Sequence, residues 1–585
     1  MDGYFFIWFN RGFIITELSS LVHSDSCLPA ILGEPEPRAE WPDFLFPFHL
    51  STLSPYCPST SPCAAPLRFI NFFTKKIIWG IILLKMMDSL SHRTRHVLIA
   101  LPILLVAAFL LYAKNFSNEW TYDDYSVLVH NPDIQSVEAF LEDQKPGRPV
   151  RELSYLIDYH FFKLDPSGYH IQNIFWHGLN AFLIFCLING CAGDRRIAWT
   201  ASLLFLVHPV NVEVVAQISH RKDSLVLVFC LISFISFIKA SHSQQHRLPW
   251  LLVCLAAVVT AYFAKQNAVA LPIVFLAYLL VHVDAGVRLA KFKLPLLGVL
   301  GIAGVAVLVW YLDFNGRDIF LEKGRIALGR MNYFGPVSEA VYLRMVLKSW
   351  LFAFSKFVIP TGLSLEYQYP VPESYLDPWL IGAFLLIAAW GGALVFTRKR
   401  SPTAFVFLVW LGAFWLPVSN LWPITNRFAA DRYLYTPLVG GFVLVSMALF
   451  RFDRKSIYAG IVVLIAVVSL AGLTWKQNDV WRTQCSLWQH AADVNPTSTT
   501  ALNNLGQCFY RKGEHERAIA FFLRSIEANP HNASPYFNLG LAYEKTGRSG
   551  LSRSYYLKFM SIEDPRYVDL IARVKKHLTD MYGPE

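Results

Sequence analysis

The run VLIALPILLVAAFLLY, Val97–Tyr112, and the segment Trp120-Thr121-Tyr122-Asp123-Asp124 beyond it decide how this chain is read. The first is apolar and uncharged, close to the length that crosses a hydrocarbon core of ~30 Å as a helix. The second sets two adjacent carboxylates beside that bilayer, on the side where the span exits. Trp120, Tyr122 and Tyr125 flank them, aromatic residues of the kind that rest at headgroup level. A carboxylate partly withdrawn from water there has a raised pKa and is a better proton acceptor.

Composition widens the reading to the whole chain. Of 585 residues, 54% are hydrophobic and only 16% charged, which predicts an all-α polytopic membrane helix bundle and not a large soluble enzyme. The net charge of +10 comes from basic residues at span ends, so positive-inside anchoring accounts for it and nucleic acid is not an expected partner. Nine scattered cysteines show no CxxC and no Cys/His ligand spacing, so zinc is not expected. Cys186, Cys230 and Cys254 read as packing, whereas Cys485 and Cys508 can pair if their compartment is oxidising. Residues 1–85 are rich in Pro, Ser and aromatics without a clean span. They read as an upstream start with no functional domain, Met86 or Met87 opening an uncleaved signal anchor.

Apolar segments recur at 97–112, 171–190, 197–214, 224–239, 249–264, 267–283 and 294–312, then at 377–396, 402–418, 433–450 and 457–474. Basic runs stand at Arg93/Arg95, Arg195/Arg196, His246/Arg247, Arg288/Lys291/Lys293, Arg398/Lys399/Arg400 and Arg451/Arg454/Lys455. All of them fall in the cytoplasm if 341–358 does not span but lies at the interface, with Arg344, Lys348 and Lys356 reaching headgroups. That gives eleven spans over a membrane domain of residues 86–475, with segments 113–170, 313–376 and everything past 475 outside.

From about Trp481 the period becomes 34 residues: Asn504-Leu505-Gly506 recurs as Asn538-Leu539-Gly540, and Gly513 as Gly547. Ala518, Phe522 and Pro530 complete one tetratricopeptide unit, and Trp488, Ala491 and Pro496 read as the second helix of a partial one. Residues 476–585 are therefore a helical repeat domain, suited either to extended protein segments or to capping the membrane domain.

Ionisable groups inside spans are costly and point to function. His170, Asn173, His177 and Asn180 form one helical stripe, for binding or for hydrogen bonds between helices. The third span ends in His208-Pro209-Val210-Asn211-Val212-Glu213, where the proline can open the helix. Glu213, Gln217 and Arg221 then share a face, which would let Glu213 and Arg221 bridge through Gln217; His220, Lys222 and Asp223 follow. Near the tenth span come Asn426-Arg427 and Asp431-Arg432-Tyr433-Leu434-Tyr435, with arginines on the side that disfavours them, as if an anion held them. Planar guanidinium suits phosphate, and Lys265 can add a point charge. An ordinary ion pair made by Asp431 is the alternative.

Together, the acid pair, the His-Pro…Glu…Arg-Lys-Asp end of the third span, the late Asp-Arg-Tyr-Leu-Tyr and the C-terminal repeats resemble one group. It is the transmembrane and tetratricopeptide-containing O-mannosyltransferases with their bacterial relatives, of the GT-C glycosyltransferase class. The resemblance runs from about residue 115 to 560 and implies a polyprenyl-phosphate sugar, of mannose or another hexose, as donor. A Ser/Thr hydroxyl of an extracytoplasmic protein, engaged through the repeats, would be the acceptor. It implies Asp123 or Asp124 as base, and Arg221, Arg427 and Arg432, joined by Lys265, at the donor phosphate. His177, His208, Glu213, Asp223, Asp431 and Tyr433 would complete a polar rim. No cofactor is required; a divalent metal could bind the acids but is not expected. Gly147-Arg148-Pro149-Val150-Arg151 departs from the group, which expects a tyrosine before Arg-Pro and a leucine after it. The membrane would be a bacterial inner membrane, or the endoplasmic reticulum in a eukaryote. Competing readings are a ligase or polymerase of lipid-linked glycans, a membrane-anchored repeat scaffold, and a transporter, the last disfavoured because the polar groups gather at one face.

Overall fold

The computed structural model describes residues 92–142, 148–191, 193–243, 245–282, 328, 338–421, 427–451, 457–564 and 567–582. The expectations for residues 1–85, the span at 294–312, the cations Arg288, Lys291, Lys293, Arg454 and Lys455, and Gly147 and Asn426 lie outside them. Every regular element described is helical.

Five helices are long and apolar enough to cross a membrane, or six if Arg195–Val207 and Pro209–Ala216 form one bent span. Shorter apolar helices, His96–Leu111, Gln266–His282, Pro402–Val418 and Leu438–Arg451, occupy other expected spans. On length and composition the described residues do not establish the expected eleven. Pro402 and Pro437, each just at or before a helix start, set the beginnings of two of the short ones.

Pro166–Cys191 is the hub. It packs against His92–Leu111, Arg195–Val207 and Arg221–His242, and the last of these packs along Arg247–Ala264. Leu438–Arg451 closes on both Arg195–Val207 and Pro402–Trp415. At Gly440 a Cβ would stand 2.5 Å from the Phe407 carbonyl oxygen, so two backbones meet there with no room for a side chain. The third span breaks as its sequence allows, bending by 54° at His208-Pro209. Asn211 Nδ2 donates to the Phe205 carbonyl at 2.7 Å, satisfying an acceptor that the break frees.

Glu339–Val358 starts at Ser338, whose hydroxyl accepts from Val341 N at 3.3 Å. Of its cations Lys348 is buried and Arg344 and Lys356 are partly exposed, and each meets a backbone carbonyl. Lys348 donates to the Pro370 carbonyl at 2.8 Å, Lys356 to that of Thr361 at 2.8 Å, and Arg344 to that of Glu373. They hold down the segment that follows the helix.

The 34-residue period becomes paired helices, Thr499–Arg511 with His515–Ala528 and Ala533–Lys545 with Ser549–Ser561. Gln484–Val494 precedes them and Val568–Tyr582 follows. A Cβ at Gly506 would lie 2.6 Å from Phe522, and one at Gly540 2.5 Å from Tyr556, so Leu-Gly is the close-approach position in both units. A strap through Leu363–Gln368 joins this domain to the membrane helices. The Leu363 carbonyl accepts from His490 Nε2 at 2.9 Å and Gln477 Nε2 at 3.1 Å, and Asn495 brackets Glu366 and Gln368 through their backbone.

Candidate functional site

The acid pair divides its work. Asp124 is fully buried, and its Oδ2 accepts from the Thr121 amide at 3.1 Å and hydroxyl at 3.4 Å. Its Oδ1 accepts from Ser219 N at 2.7 Å, which ties the loop after the first apolar helix to the turn before Arg221. Burial pushes its carboxyl up to about 6, against the pull of the Ser219 and Thr121 amides. Asp123 is half-buried, and among the described residues its carboxylate accepts no hydrogen bond. The neighbouring aromatics pack inward: Trp120 meets Tyr169 edge-on at 5.1 Å, and Tyr122 meets Trp488 of the first repeat helix at 5.3 Å. These contacts hold the loop on protein.

Arg221 is consumed by the fold. It has no exposed surface, and its guanidinium donates to Asp158 Oδ2 at 2.5 Å, Asn173 Oδ1 at 2.8 Å and the Tyr169 carbonyl at 3.0 Å. Weaker contacts to Ser154 and the Tyr155 ring complete its surroundings. No surface is left for a phosphate to reach. The expected bridge from Glu213 through Gln217 to Arg221 does not form, because Val212–Ala216 ends and Gln217 turns extended, with ψ 116°. Glu213 instead accepts from Arg432, at 2.9 Å to its backbone N and again at Nη1.

Around Lys222 the accounting differs. Lys222, Arg148, Arg151 and Lys265 stand near enough to feel one another's charge, and Arg432 acts on Lys265 as well. Burial, then Arg151, lowers the Arg148 guanidinium; burial also lowers the Lys265 ammonium, with Asp223 pulling it back up. Lys265 pairs with Asp223 at 2.5 Å, Arg151 with Glu152 at 3.1 Å, and Arg432 with Glu213. Lys222 and the Arg148 side chain pair with no carboxylate among the described residues, and both are only partly buried. The five cations here outnumber the three carboxylates among them, and the charge of Asp223 reaches both Lys222 and Arg148. Such a place suits an anion.

The rest of the rim is mostly framework. His177 bridges the Tyr435 hydroxyl, at 2.8 Å, and the Leu206 carbonyl, at 3.1 Å. Asn173 and Asn180 also bond across helices, so at these three positions the stripe serves hydrogen bonding between helices. His208 Nε2 donates to the Phe357 carbonyl at 3.1 Å. Asp431 accepts from the Tyr367 hydroxyl at 2.5 Å and not from an arginine side chain; burial and Glu213 push its carboxyl well up. Tyr433 is buried beside Arg432. Arg427 reaches the Leu365 carbonyl at 2.9 Å, Glu366 Oε1 at 2.7 Å and the Tyr122 hydroxyl at 3.0 Å. Its place is beside the acid loop. Cys485 and Cys508 stand side by side, in hydrogen-bonding contact and without a bond between their sulfurs. Among the described residues no three His, Cys, Asp or Glu side chains gather as a metal site.

Lys222 and Arg148 are the pair that sequence reasoning undervalued; both stand in motifs it quoted, Arg221-Lys222-Asp223 and Gly147-Arg148-Pro149-Val150-Arg151, without a place at the donor phosphate. Glu366, Tyr367 and Gln484 were missed, because nothing local marks them.

Comparison with known proteins follows the same lines. Residues 167–310 match the family "Dolichyl-phosphate-mannose-protein mannosyltransferase", and 506–547 and 533–564 match tetratricopeptide repeat families. The chain is similar to protein O-mannosyl-transferase TMTC3 of Homo sapiens, 24% identical over 76% of this chain and 53% of that one. It is similar to protein O-mannosyl-transferase F38B6.6 of Caenorhabditis elegans, 22% identical over 74% of this chain and 63% of that one. Protein O-mannosyl-transferase TMTC4 of Homo sapiens is 24% identical over 71% of this chain and 64% of its own length. The chain thus spans between about half and just under two thirds of these relatives. The matches agree with the resemblance read from the sequence, and the family ranges take in the end of the third span and the repeats.

Proposed function

We propose that the chain, related to the transmembrane and tetratricopeptide-containing O-mannosyltransferases, moves a hexose from a polyprenyl-phosphate donor to a Ser/Thr hydroxyl of an extracytoplasmic protein. The observation that carries this is the Asp124–Ser219 hydrogen bond at 2.7 Å. It brings the outer-loop acids to the turn that leads, three residues later, into Lys222 and the cation cluster.

In this reading Asp123 is the base and Asp124 the staple. The acceptor hydroxyl oxygen attacks the sugar's anomeric carbon while its proton passes to the Asp123 carboxylate. The bond from that carbon to the phosphate oxygen breaks, and the electron pair leaves with the polyprenyl phosphate. Lys222, Arg148, Lys265 and the free edge of Arg432 stabilise the charge that develops there. A monoanionic phosphodiester going to a dianion suits a cluster in which cations outnumber carboxylates. No step needs a cofactor, and a nucleic acid has no part. The site and the repeats lie outside the cytoplasm, where the repeats present the acceptor. The domain limits are a membrane domain over 86–475 and repeats over 476–585.

The test is incubation of the purified protein with a panel of polyprenyl-phosphate sugars and Ser/Thr peptides, read by intact peptide mass. One added hexose, dependent on the donor, is expected. Transfer of a preassembled glycan alone would favour the ligase reading, and no transfer with any donor would remove the enzyme reading.

A further inference from the structure

Tyr122, directly before Asp123, has φ of +47°, a left-handed backbone that a bulky residue adopts only when its surroundings compel it. The compulsion is on view. Its amide donates to Gln484 Oε1 at 2.7 Å, and its ring packs edge-on against Trp488, both on the first repeat helix Gln484–Val494. Its hydroxyl accepts from Arg427 Nη2 at 3.0 Å, and the same nitrogen donates to Glu366 Oε1 at 2.7 Å. Glu366 belongs to the strap that Asn495, one residue past that repeat helix, holds by its backbone. A further backbone bond runs from Glu119 N to the Arg482 carbonyl at 3.0 Å.

We infer that the first repeat helix is a wall of the catalytic centre, and that Gln484 and Arg427 are positioning residues that hold Tyr122 in its strained conformation and so aim Asp123. This rests on the sugar-transfer reading for its kinetic consequence but not for its structural one. Without the Gln484 acceptor the Tyr122 amide loses its partner, the left-handed turn relaxes, and the next carboxylate moves off line. Small displacements of a catalytic group slow the chemical step without weakening binding. The helix is therefore required even for a short acceptor peptide that never touches the repeats.

Gln484→Met keeps the volume and removes the acceptor oxygen; Gln484→Glu keeps the oxygen. With a short Ser/Thr peptide, Gln484→Met is expected to lower kcat about tenfold or more with KM for donor and peptide within about twofold, and Gln484→Glu to restore most of it. Hydrogen exchange at the Tyr122 amide should quicken in Gln484→Met alone. Unchanged kcat, or a loss confined to the KM for peptide, overturns the inference. If the unaltered protein transfers no sugar, the transfer reading fails while exchange still decides this one, unchanged Tyr122 protection in Gln484→Met refuting it. Should that variant not fold, Tyr122→Phe, which keeps the ring and drops the hydroxyl held by Arg427, carries the same kinetic expectation.

Discussion

Arg221 and Lys222 are neighbours in sequence and opposites in surroundings. Arg221 is sealed, with Asp158, Asn173 and Tyr169 using its donors. Lys222 is partly open, in a cluster where Asp223, Glu152 and Glu213 each already answer another cation. Both are rim cations, so charge alone assigns them the same role. Counting partners separates them: one cation holds helices together, and the other is the one the proposed reading sets against the donor's phosphate.

The comparison breaks or holds on substitution. Arg221→Met should leave Asp158 buried without its cation and cost about 3–5 kcal/mol of stability in a thermal or denaturant melt. A folded Arg221→Met of normal stability that had lost donor affinity would return Arg221 to the phosphate site. Lys222→Met should melt like the unaltered protein yet lose roughly tenfold to a hundredfold in kcat/KM for the donor, the size of a charge-assisted hydrogen bond. A stability loss with kinetics intact would make Lys222 framework too.

A smaller effect lies in pH. Asp124, lifted to about 6, is protonated below that pH and gives up a carboxylate acceptor for the Ser219 and Thr121 amides. Donor kcat/KM should fall as pH drops through about 6, and Asp124→Asn should flatten that limb. Stability should move the other way. A carboxyl whose folded pKa is raised favours the fold most below its unfolded value of about 3.9, and that contribution is lost as pH rises through about 6.

What the sequence could tell follows the distance between partners. The repeats were legible because Gly506 and Gly540 each pack on a residue of their own unit, Phe522 and Tyr556, so a fixed period records the contact. The break at His208-Pro209 was legible because proline acts locally. The fate of the rim charges was not. Glu213 meets Arg432 at a separation of 219 residues and Arg221 meets Asp158 at 63, and no spacing rule spans such gaps. The Glu213–Gln217–Arg221 face assumed one continuous helix, and the extended Gln217 undid it. The strap carrying Glu366 and Tyr367 has no helical period to reveal it, yet it joins Arg427, Asp431 and the first repeat helix.

At bottom, an acid held against the repeat domain and a cation cluster one turn away are proposed to act on one sugar phosphate. Single-turnover transfer from a polyprenyl-phosphate hexose to a Ser/Thr peptide by Asp123→Asn, with donor binding measured on the same sample, tests it most directly. Donor affinity should stay within about twofold while the transfer rate drops by about a hundredfold or more. Transfer at the unaltered rate would remove Asp123 from the chemistry and contradict the account.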